Sequence, residues 1–450
     1  MTVGRIFGTD GARGVAGIEL TTELAMNIGR AAAMVLAAET HKKPLVVIGR
    51  DTRISGDMLQ TAVTAGLCSV GADVLLLGVV PTPAVAYLVQ HYKADAGVML
   101  SASHNPYEFN GIKLFGASGY KLTDAEEAQI EAIILDGAKP YDFKTHSGMG
   151  RVKSAVDAVC SYIDHLANIY TGGFSGRLLV DCANGSAAAT AKRLFDAMGV
   201  SADFLADRPD GININDRCGS THIERLVPLV TKGHYAAGLA FDGDADRLLA
   251  VDEKGSLLDG DVLISILSAY LLAQGKLNDD TVVVTSMTNF GFFELMKTRG
   301  TKTEMTKVGD RYVLEMMRKK NLSLGGEQSG HIIFSEYATT GDGQLSAVML
   351  LNALVAAGKP LSVLGSDMKR FPQTMHNVNA TPGMKSALAT HPLVCGAIEH
   401  WQQLLQGRGR VVVRPSGTEP YIRVMVEGES ADEIEQAAND IATAISTHLI

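Results

Sequence analysis

The stretch LVVIGRDTRISGDMLQTAVTAGLCSVGADVLLLG, residues 45–78, decides the fold class. A β-branched run ends in a polar turn, an amphipathic helix around Asp57 runs on to Val70, Gly71 stops it, and DVLLLG opens a second apolar run. That order is a strand–helix–strand unit. Working outward, the unit occurs twice more. RLLVDCANG at 177–185 leads through an Ala-rich helix to Met198, with Gly199 before VSADFL. TVVVTSM at 281–287 leads through FGFFELMKTR, with Gly300 before the next strand. Starts near 45, 178 and 281 are too unevenly spaced for a solenoid and fit successive α/β domains.

A chain of 450 residues with 46% hydrophobic content supports several cores. From about Arg370 the texture changes. FPQTMHNVNATP, a helix containing Trp401, and GRVVVRPSGTEPYIRVMVEG read as an antiparallel strand pair flanked by helices, a smaller α+β domain. Val411 and Val413 alternate with outward positions, as do Ile422, Val424 and Val426, so RPSGTEP lies at one end of the pair. The expected domains are 1–155, 156–255, 256–370 and 371–450.

Forty Lys plus Arg against 49 Asp plus Glu leave a net charge of −9, with no basic run, so neither nucleic acid nor an anionic membrane surface is an expected partner. The longest apolar stretches, such as 262–273, fall short of the ~20 residues a membrane span needs, and the N-terminus lacks a basic-then-apolar signal pattern. Cys68, Cys160, Cys182, Cys218 and Cys395 are odd in number, scattered and without a CxxC pair. That argues against a disulfide framework or a zinc site and fits a reducing cytoplasm.

AGLAFDGDADRLLAVDEKG (237–255) places Asp242, Asp244 and Asp246 at alternate positions behind an apolar run, on one face of an extended backbone. Three such carboxylates repel unless a cation sits between them, and the donor set suits Mg²⁺ with positions left for a phosphate oxygen or water. An EF-hand starting at Asp242 would find its Glu at Glu253, but Arg247 stands where the sharp turn needs Gly, and the flanks read as strands. A solvated acidic turn is the plainer rival. In VMLSASHNPYEFNGIKLF (98–115) a strand ends in small residues, followed by His104, Asn105, Pro106, Gly111 and Lys113. A serine there can be a nucleophile, with room for a phosphate and His or Lys to manage protons. A polar Asx/Pro turn with a structural serine is the alternative, and the local sequence does not choose between Ser101 and Ser103. No GxSxG elbow supports acyl transfer.

LGGEQSGHIIF (324–334) sets Glu327, Gln328, Ser329, Gly330 and His331 between apolar runs, groups that match sugar hydroxyls unless they form a simple turn. RPSGTEPYIR (414–423) gathers Arg414, Ser416, Gly417, Thr418 and Arg423 around a tight turn, a phosphate cradle or else a hairpin with surface arginines. FGTDGARG (7–14), with Arg13, is a Gly-rich loop without Walker A or Rossmann order, and no GxxxxGK[ST] occurs, so a nucleotide cofactor is disfavoured.

Taken in order, FGTDGARG, SASHNP, DGDADR, GGEQSGH and RPSGTEP resemble the motifs of the α-D-phosphohexomutase family over essentially the whole chain. GGEQSGH with SASHNP looks most like the branch acting on glucosamine phosphates. The resemblance implies an α/β fold of four domains around a central cleft, three similar and one α+β, bearing in turn a phosphoserine, a metal, a sugar and a phosphate loop. It implies Ser103, directly before His-Asn, as the phosphorylated serine. Mg²⁺ would be held by Asp242, Asp244, Asp246 and a phosphoserine oxygen at Ser103. Glu327, Ser329 and His331 would meet the sugar, and Arg414, Ser416, Gly417, Thr418 and Arg423 its phosphate. Arg13, His104, Lys113 and Arg247 resemble active-site positions serving proton transfer or orientation.

The implied reaction exchanges a hexosamine 6-phosphate and 1-phosphate through the phosphoserine enzyme, with a hexosamine or hexose 1,6-bisphosphate as intermediate and activator. The implied partner is a small sugar phosphate, with the protein cytoplasmic and a homodimer. The same machinery would serve a mannose or glucose phosphate. FDGDAD also resembles the DxD of haloacid-dehalogenase-like phosphatases, but those place Thr or Val where Asp246 stands. A non-catalytic sugar-phosphate sensor is the third rival, and no motif looks disabled. One departure from the familiar DGDGDR is Ala245 in place of the second Gly, which a positive φ would strain by ~1 kcal/mol.

Overall fold

The structure, a computed structural model, describes residues 5–8, 10–36, 43–416 and 420–449. It forms two compact units, Met1–Thr285 with Thr306–Gly365, and Ser286–Met305 with Ser366–Ile450. In the first unit the opening stretch folds as strand Leu45–Arg50, helix Gly56–Ser69 and strand Asp73–Val79. These join a six-stranded sheet in the order Ala12–Val15, Phe109–Gly116, Ala96–Leu100, Leu45–Arg50, Asp73–Val79, Val152–Ser154. Leu45–Arg50 is parallel to both Ala96–Leu100 and Asp73–Val79, whereas Phe109–Gly116 returns antiparallel to Ala96–Leu100. Val46, Ile48 and Val98 pack against Ile28, Leu59 and Val63 of the covering helices Thr22–Leu36 and Gly56–Ser69. The parallel strands end on one edge of the sheet, where ligands bind in open α/β sheets, and they deliver Asp51, Thr82 and Ser101–Ser103 there.

The second sheet runs Leu257–Leu258, Leu248–Asp252, Ala237–Phe241, Leu178–Asp181, Ala202–Leu205. Here the extended reading of the three aspartates is corrected. Phe241 pairs with Leu248 in an antiparallel hairpin, so residues 242–247 must reverse the chain. They form a turn in which Ala245 adopts φ 57°, the strained conformation that the Gly-to-Ala departure foreshadows. The Ala-rich helix is also broken, into a 3₁₀ turn Ser186–Ala189 and an α-helix Ala191–Met198.

In the third sheet Thr281–Thr285 lies parallel to Leu324–Gly326, which turns through 327–331 into antiparallel Ile332–Phe334. This hairpin is stitched to the aspartate hairpin by a backbone bridge between Arg247 and His331, with Leu248 N donating to Gly330 O at 3.0 Å. A side chain at Gly330 would collide with Leu248 O, since its Cβ would lie 2.3 Å away.

The second unit contains helix Phe290–Arg299 and an antiparallel sheet ordered Gln373–Asn379, Tyr421–Gly428, Gly409–Pro415. The expected strand pair is therefore a three-stranded sheet. The extra strand comes from FPQTMHNVNATP, where Val378 is the one buried residue of the strand, so a period-2 apolar signal is missing. Ile422, Val424 and Val426 pack beneath Trp401, Ile434, Ile441 and Ile445.

Candidate active site

The two serines left open by sequence face different ways. Ser101 Oγ donates to Asp51 Oδ2 at 2.7 Å and accepts from Ser103 N at 2.9 Å, which commits it to the loop. Ser103 Oγ instead donates to Asp242 Oδ2 at 2.6 Å. Ser103 is the buried hydroxyl that meets the acidic turn, and its neighbour His104 lies with Nδ1 at 3.5 Å from that Oγ. Burial, then the charges of Arg247 and Arg13, lower His104 to a pKa of about 4, so its imidazole is neutral at pH 7.

Asp242, Asp244 and Asp246 are buried, and each can offer an oxygen within 4.8 Å of the others. Burial, followed by Asp246 and Asp244, pushes the Asp242 carboxyl well above the ordinary range. Asp244 Oδ1 and Asp246 Oδ1 are buried without a hydrogen-bond partner. Oxygen donors crowded together with buried atoms unsatisfied fit a hard divalent cation, so this triad is able to hold one.

Asp244 differs from Asp242 because the Lys113 ammonium bonds to it directly. Its Oδ2 accepts from Lys113 Nζ at 2.7 Å and from Thr82 Oγ1 at 2.5 Å; burial opposes the charged form, but the Lys113 charge and the hydrogen bonds from Lys113 and Thr82 together hold the carboxyl below its ordinary pKa. Lys113, 1% exposed, also lies 2.9 Å from Asp10 and 3.8 Å from Asp246. Burial opposes its charge, but Asp10, Asp244 and Asp246 prevail and raise its pKa. The chain of charges continues from Asp10 to Lys121 and from Lys121 to Asp310, each at 2.5 Å. Arg13 pairs with Asp10. His331 stands between Asp246 at 3.5 Å and Asp310 at 3.7 Å, and its Nε2 accepts from Gly341 N. Arg247 sits 3.8 Å from Asp246, and its backbone N donates to Asp242.

Glu327 Oε1 accepts from Gly309 N at 2.9 Å, so one carboxylate oxygen is engaged by the loop before Asp310. Ser329 Oγ is buried without a hydrogen-bond partner. In the second unit Arg414 and Arg423 are directly paired across neighbouring strands. Burial and then Arg423 lower the Arg414 pKa. Two guanidinium groups opposite one another favour an anion between them. Ser416 is buried and its N donates to Tyr421 O, while Lys385 Nζ donates to Ser416 O at 2.7 Å. Gly417 and Thr418 lie outside the described residues.

Sequence reasoning missed Thr82, Asp10, Lys121 and Asp310. Asp10 lies within the quoted FGTDGARG, but nothing local says that Lys113 and Lys121, more than a hundred residues away, join Arg13 as its partners. Thr82 is the first residue of helix Thr82–His91 and carries no motif.

With fold and site described, the class follows: the chain belongs to the phosphoglucomutase/phosphomannomutase family. Models of the family's alpha/beta/alpha domains I, II and III match residues 4–140, 160–255 and 259–371, and its C-terminal domain matches 375–444. Within it, a phosphoglucosamine mutase of Acetivibrio thermocellus is 48% identical over 448 residues, covering 99% of this chain and 100% of that protein. In fold, the chain resembles a phosphoglucomutase/phosphomannomutase family protein from Burkholderia thailandensis, with TM-score 0.84, 23% identity and coverage of 98% and 97%. It also resembles an Aspergillus fumigatus N-acetylphosphoglucosamine mutase determined in complex with GlcNAc-6P and magnesium, with TM-score 0.65, 20% identity and coverage of 93% and 98%. Among the described residues no helix is long and apolar enough to cross a membrane.

Proposed function

We propose that the chain interconverts glucosamine 6-phosphate and glucosamine 1-phosphate, with Ser103 carrying the transferred phosphoryl group. The observation that carries the chemistry is the Ser103 hydroxyl on Asp242, inside a three-carboxylate cluster. Identity of 48% along the whole chain to a protein named phosphoglucosamine mutase supports the sugar.

Mg²⁺ held by Asp242, Asp244, Asp246 and an oxygen of phosphorylated Ser103 would neutralise charge on the transferring oxygens. The rest falls to side chains. In the first half-reaction the bond from phosphorus to Ser103 Oγ breaks as one forms to the free C1 or C6 hydroxyl of the sugar monophosphate. The hydroxyl proton passes to a base, for which His104 is the imidazole at hand, its Nδ1 3.5 Å from Ser103 Oγ, and the product is a bound 1,6-bisphosphate. Lys113, kept charged by its carboxylates, and Arg247 offset developing negative charge. Ser103 Oγ leaves the first step carrying a proton; the bisphosphate turns over, the bond between its other phosphorus and the sugar oxygen breaks as a new bond forms to Ser103 Oγ, and the Oγ proton is passed on to the freed sugar hydroxyl.

Glu327 and Ser329 bind hydroxyls in both orientations, while Arg414, Ser416, Gly417, Thr418 and Arg423 hold the phosphate that is not reacting. His331 meets the sugar beside Glu327 and Ser329, and Arg13 serves orientation at the phosphoserine loop. Segments 1–155, 156–255, 256–370 and 371–450 contribute the phosphoserine, metal, sugar and phosphate loops respectively. The reading includes a hexosamine or hexose 1,6-bisphosphate as activator, a cytoplasmic setting and a homodimer.

The test compares kcat/KM for the 6-phosphates of glucosamine, glucose and mannose with Mg²⁺ and a trace of hexose 1,6-bisphosphate. Preference for glucosamine by about tenfold, or about 1.4 kcal/mol of transition-state discrimination, supports the reading. Preference for glucose or mannose would reassign the substrate, and no turnover of any would refute the reaction.

A further inference from the structure

Residue 103 holds a conformation that serine does not favour: its φ of 51° lies in the left-handed region. The backbone is fastened on both sides. Ser103 N donates to Ser101 Oγ, which in turn donates to Asp51. Ser103 O accepts from Arg53 Nη2 at 2.8 Å and from Asn215 Nδ2 at 3.0 Å. Arg53 spends every one of its N–H donors here. Nη2 also reaches Asn105 O at 2.8 Å, Nη1 reaches Phe109 O at 3.0 Å and Pro106 O, and Nε donates to Asp51 Oδ2 at 2.8 Å. Asn215 Nδ2 adds a second bond, to Asn105 O at 3.1 Å.

Arg53 and Asp51 are both buried. A buried guanidinium–carboxylate pair is weak evidence for net stability, so stability alone does not account for it. What the pair supplies is a rigid planar fork that fixes four carbonyls relative to one another. The same segment is also registered on the neighbouring sheet, because Thr52 Oγ1 donates to Asn184 O at 2.6 Å and Ile54 N to Gly211 O at 2.8 Å. The fit to the aspartate turn is close enough that a Cβ on Gly243 would lie 2.4 Å from Ser103 O.

We propose that Arg53, oriented by Asp51 and seconded by Asn215, is the positioning residue for phosphoryl transfer at Ser103, fixing the loop backbone so that Oγ is aimed at Asp242. The proposal rests on Ser103 being the phosphorylated residue. One oxygen has to serve as leaving group in one half-reaction and nucleophile in the other, so a displaced loop slows both. With all five donors engaged by protein, Arg53 acts through Ser103 and not on the sugar.

Full-length wild type, Arg53→Lys and Asn215→Gly are incubated with Mg²⁺ and glucose 1,6-bisphosphate. Phosphate on Ser103 is followed in time by mass spectrometry, and kcat and KM are measured with glucosamine 6-phosphate. Arg53→Lys keeps the charge beside Asp51 and loses the fork. Asn215→Gly removes the two Nδ2 hydrogen bonds, tolerates the φ of 59° at that position, and keeps the test decisive if the lysine variant does not fold. The expected result is a fall of about tenfold or more in phosphorylation rate and kcat for Arg53→Lys, and about threefold or more for Asn215→Gly, with KM within about twofold of wild type. Wild-type phosphorylation rates in the folded variants, or a loss confined to KM, would overturn the positioning role alone. Phosphate on a residue other than Ser103 in wild type would overturn the underlying reading and the positioning role with it.

Discussion

Replacing Lys113 by Met keeps the side-chain length and removes one charge from the most crowded part of the site. Lys113 is the nearest cation to Asp244 at 2.7 Å, and it also faces Asp10 at 2.9 Å and Asp246 at 3.8 Å. Its loss leaves buried carboxylates uncompensated, a change that costs about 3–5 kcal/mol. Asp10 keeps Lys121 and Arg13 as partners, so the damage concentrates on Asp244, and about 4 kcal/mol is expected at pH 7.5. In wild type the folded pKa of Lys113 is raised, so its contribution is fully present at any pH below the ordinary lysine value. The folded pKa of Asp244 is depressed, so its contribution persists until the pH falls below the ordinary carboxylate range.

In the variant, burial without Lys113 drives Asp244 the other way, and protonation relieves it. The stability gap between variant and wild type therefore narrows as pH falls from 8 to 5. Urea unfolding in the presence of EDTA, followed by circular dichroism, measures the gap. With a slope of about 3 kcal/mol per molar urea, the midpoint should drop by roughly 1.3 M at pH 7.5. A drop equivalent to less than about 1 kcal/mol, or a gap that widens on acidification, would refute the reasoning.

Ser103→Ala should abolish turnover while the fold persists, and more than a few per cent of residual activity would remove Ser103 as the phosphoryl carrier. Ala245→Gly relieves about 1 kcal/mol of left-handed strain but gives up a buried methyl worth about 0.8 kcal/mol and adds unfolded-state freedom. Its stability should stay within about 1 kcal/mol of wild type in denaturation, and a larger shift in either direction would contradict that balance. Arg423→Ala should raise KM for the sugar phosphate about tenfold or more in steady-state kinetics, and unchanged kinetics would contradict the phosphate role. Asp342 is buried against Tyr162, and burial raises its pKa to about 7. A folded pKa above the unfolded value makes stability fall as pH rises between about 4 and 7, and Asp342→Asn should flatten that slope in denaturation series; an unchanged slope would assign it to other groups.

Much of the fold was legible because the strand–helix–strand units announce themselves locally. Val46 to Ile48 and Thr281 to Val284 are apolar runs closed by turns, and Gly199 and Gly300 end their helices in the left-handed conformation, as glycine allows. The edge strand Gln373–Asn379 was not legible, because two of its three inward positions, Thr374 and His376, are polar and only Val378 is apolar, so its burial alternation leaves no apolar pattern. At the site, clustered chemistry is visible in short windows, so the motifs brought Ser101, Ser103, the three aspartates and Lys113 into view, while the choice of Ser103 over Ser101 came from the family resemblance. The cation–carboxylate chain through Asp10, Lys121 and Asp310 was invisible for the opposite reason. Each member is an ordinary charged residue, and only the folded chain brings position 10 to 121 and 121 to 310.

The backbone bridge between Arg247 and His331 makes a rigid ruler of the two hairpins. The carboxylates after Phe241 and the polar turn after Gly326 are held side by side, because sliding either hairpin would break the Leu248 to Gly330 bond. In the proposed reaction a bisphosphate that turns over therefore meets the two loops at one spacing in both of its orientations, and a sugar that serves as substrate has to present matching hydroxyls from both of its ends.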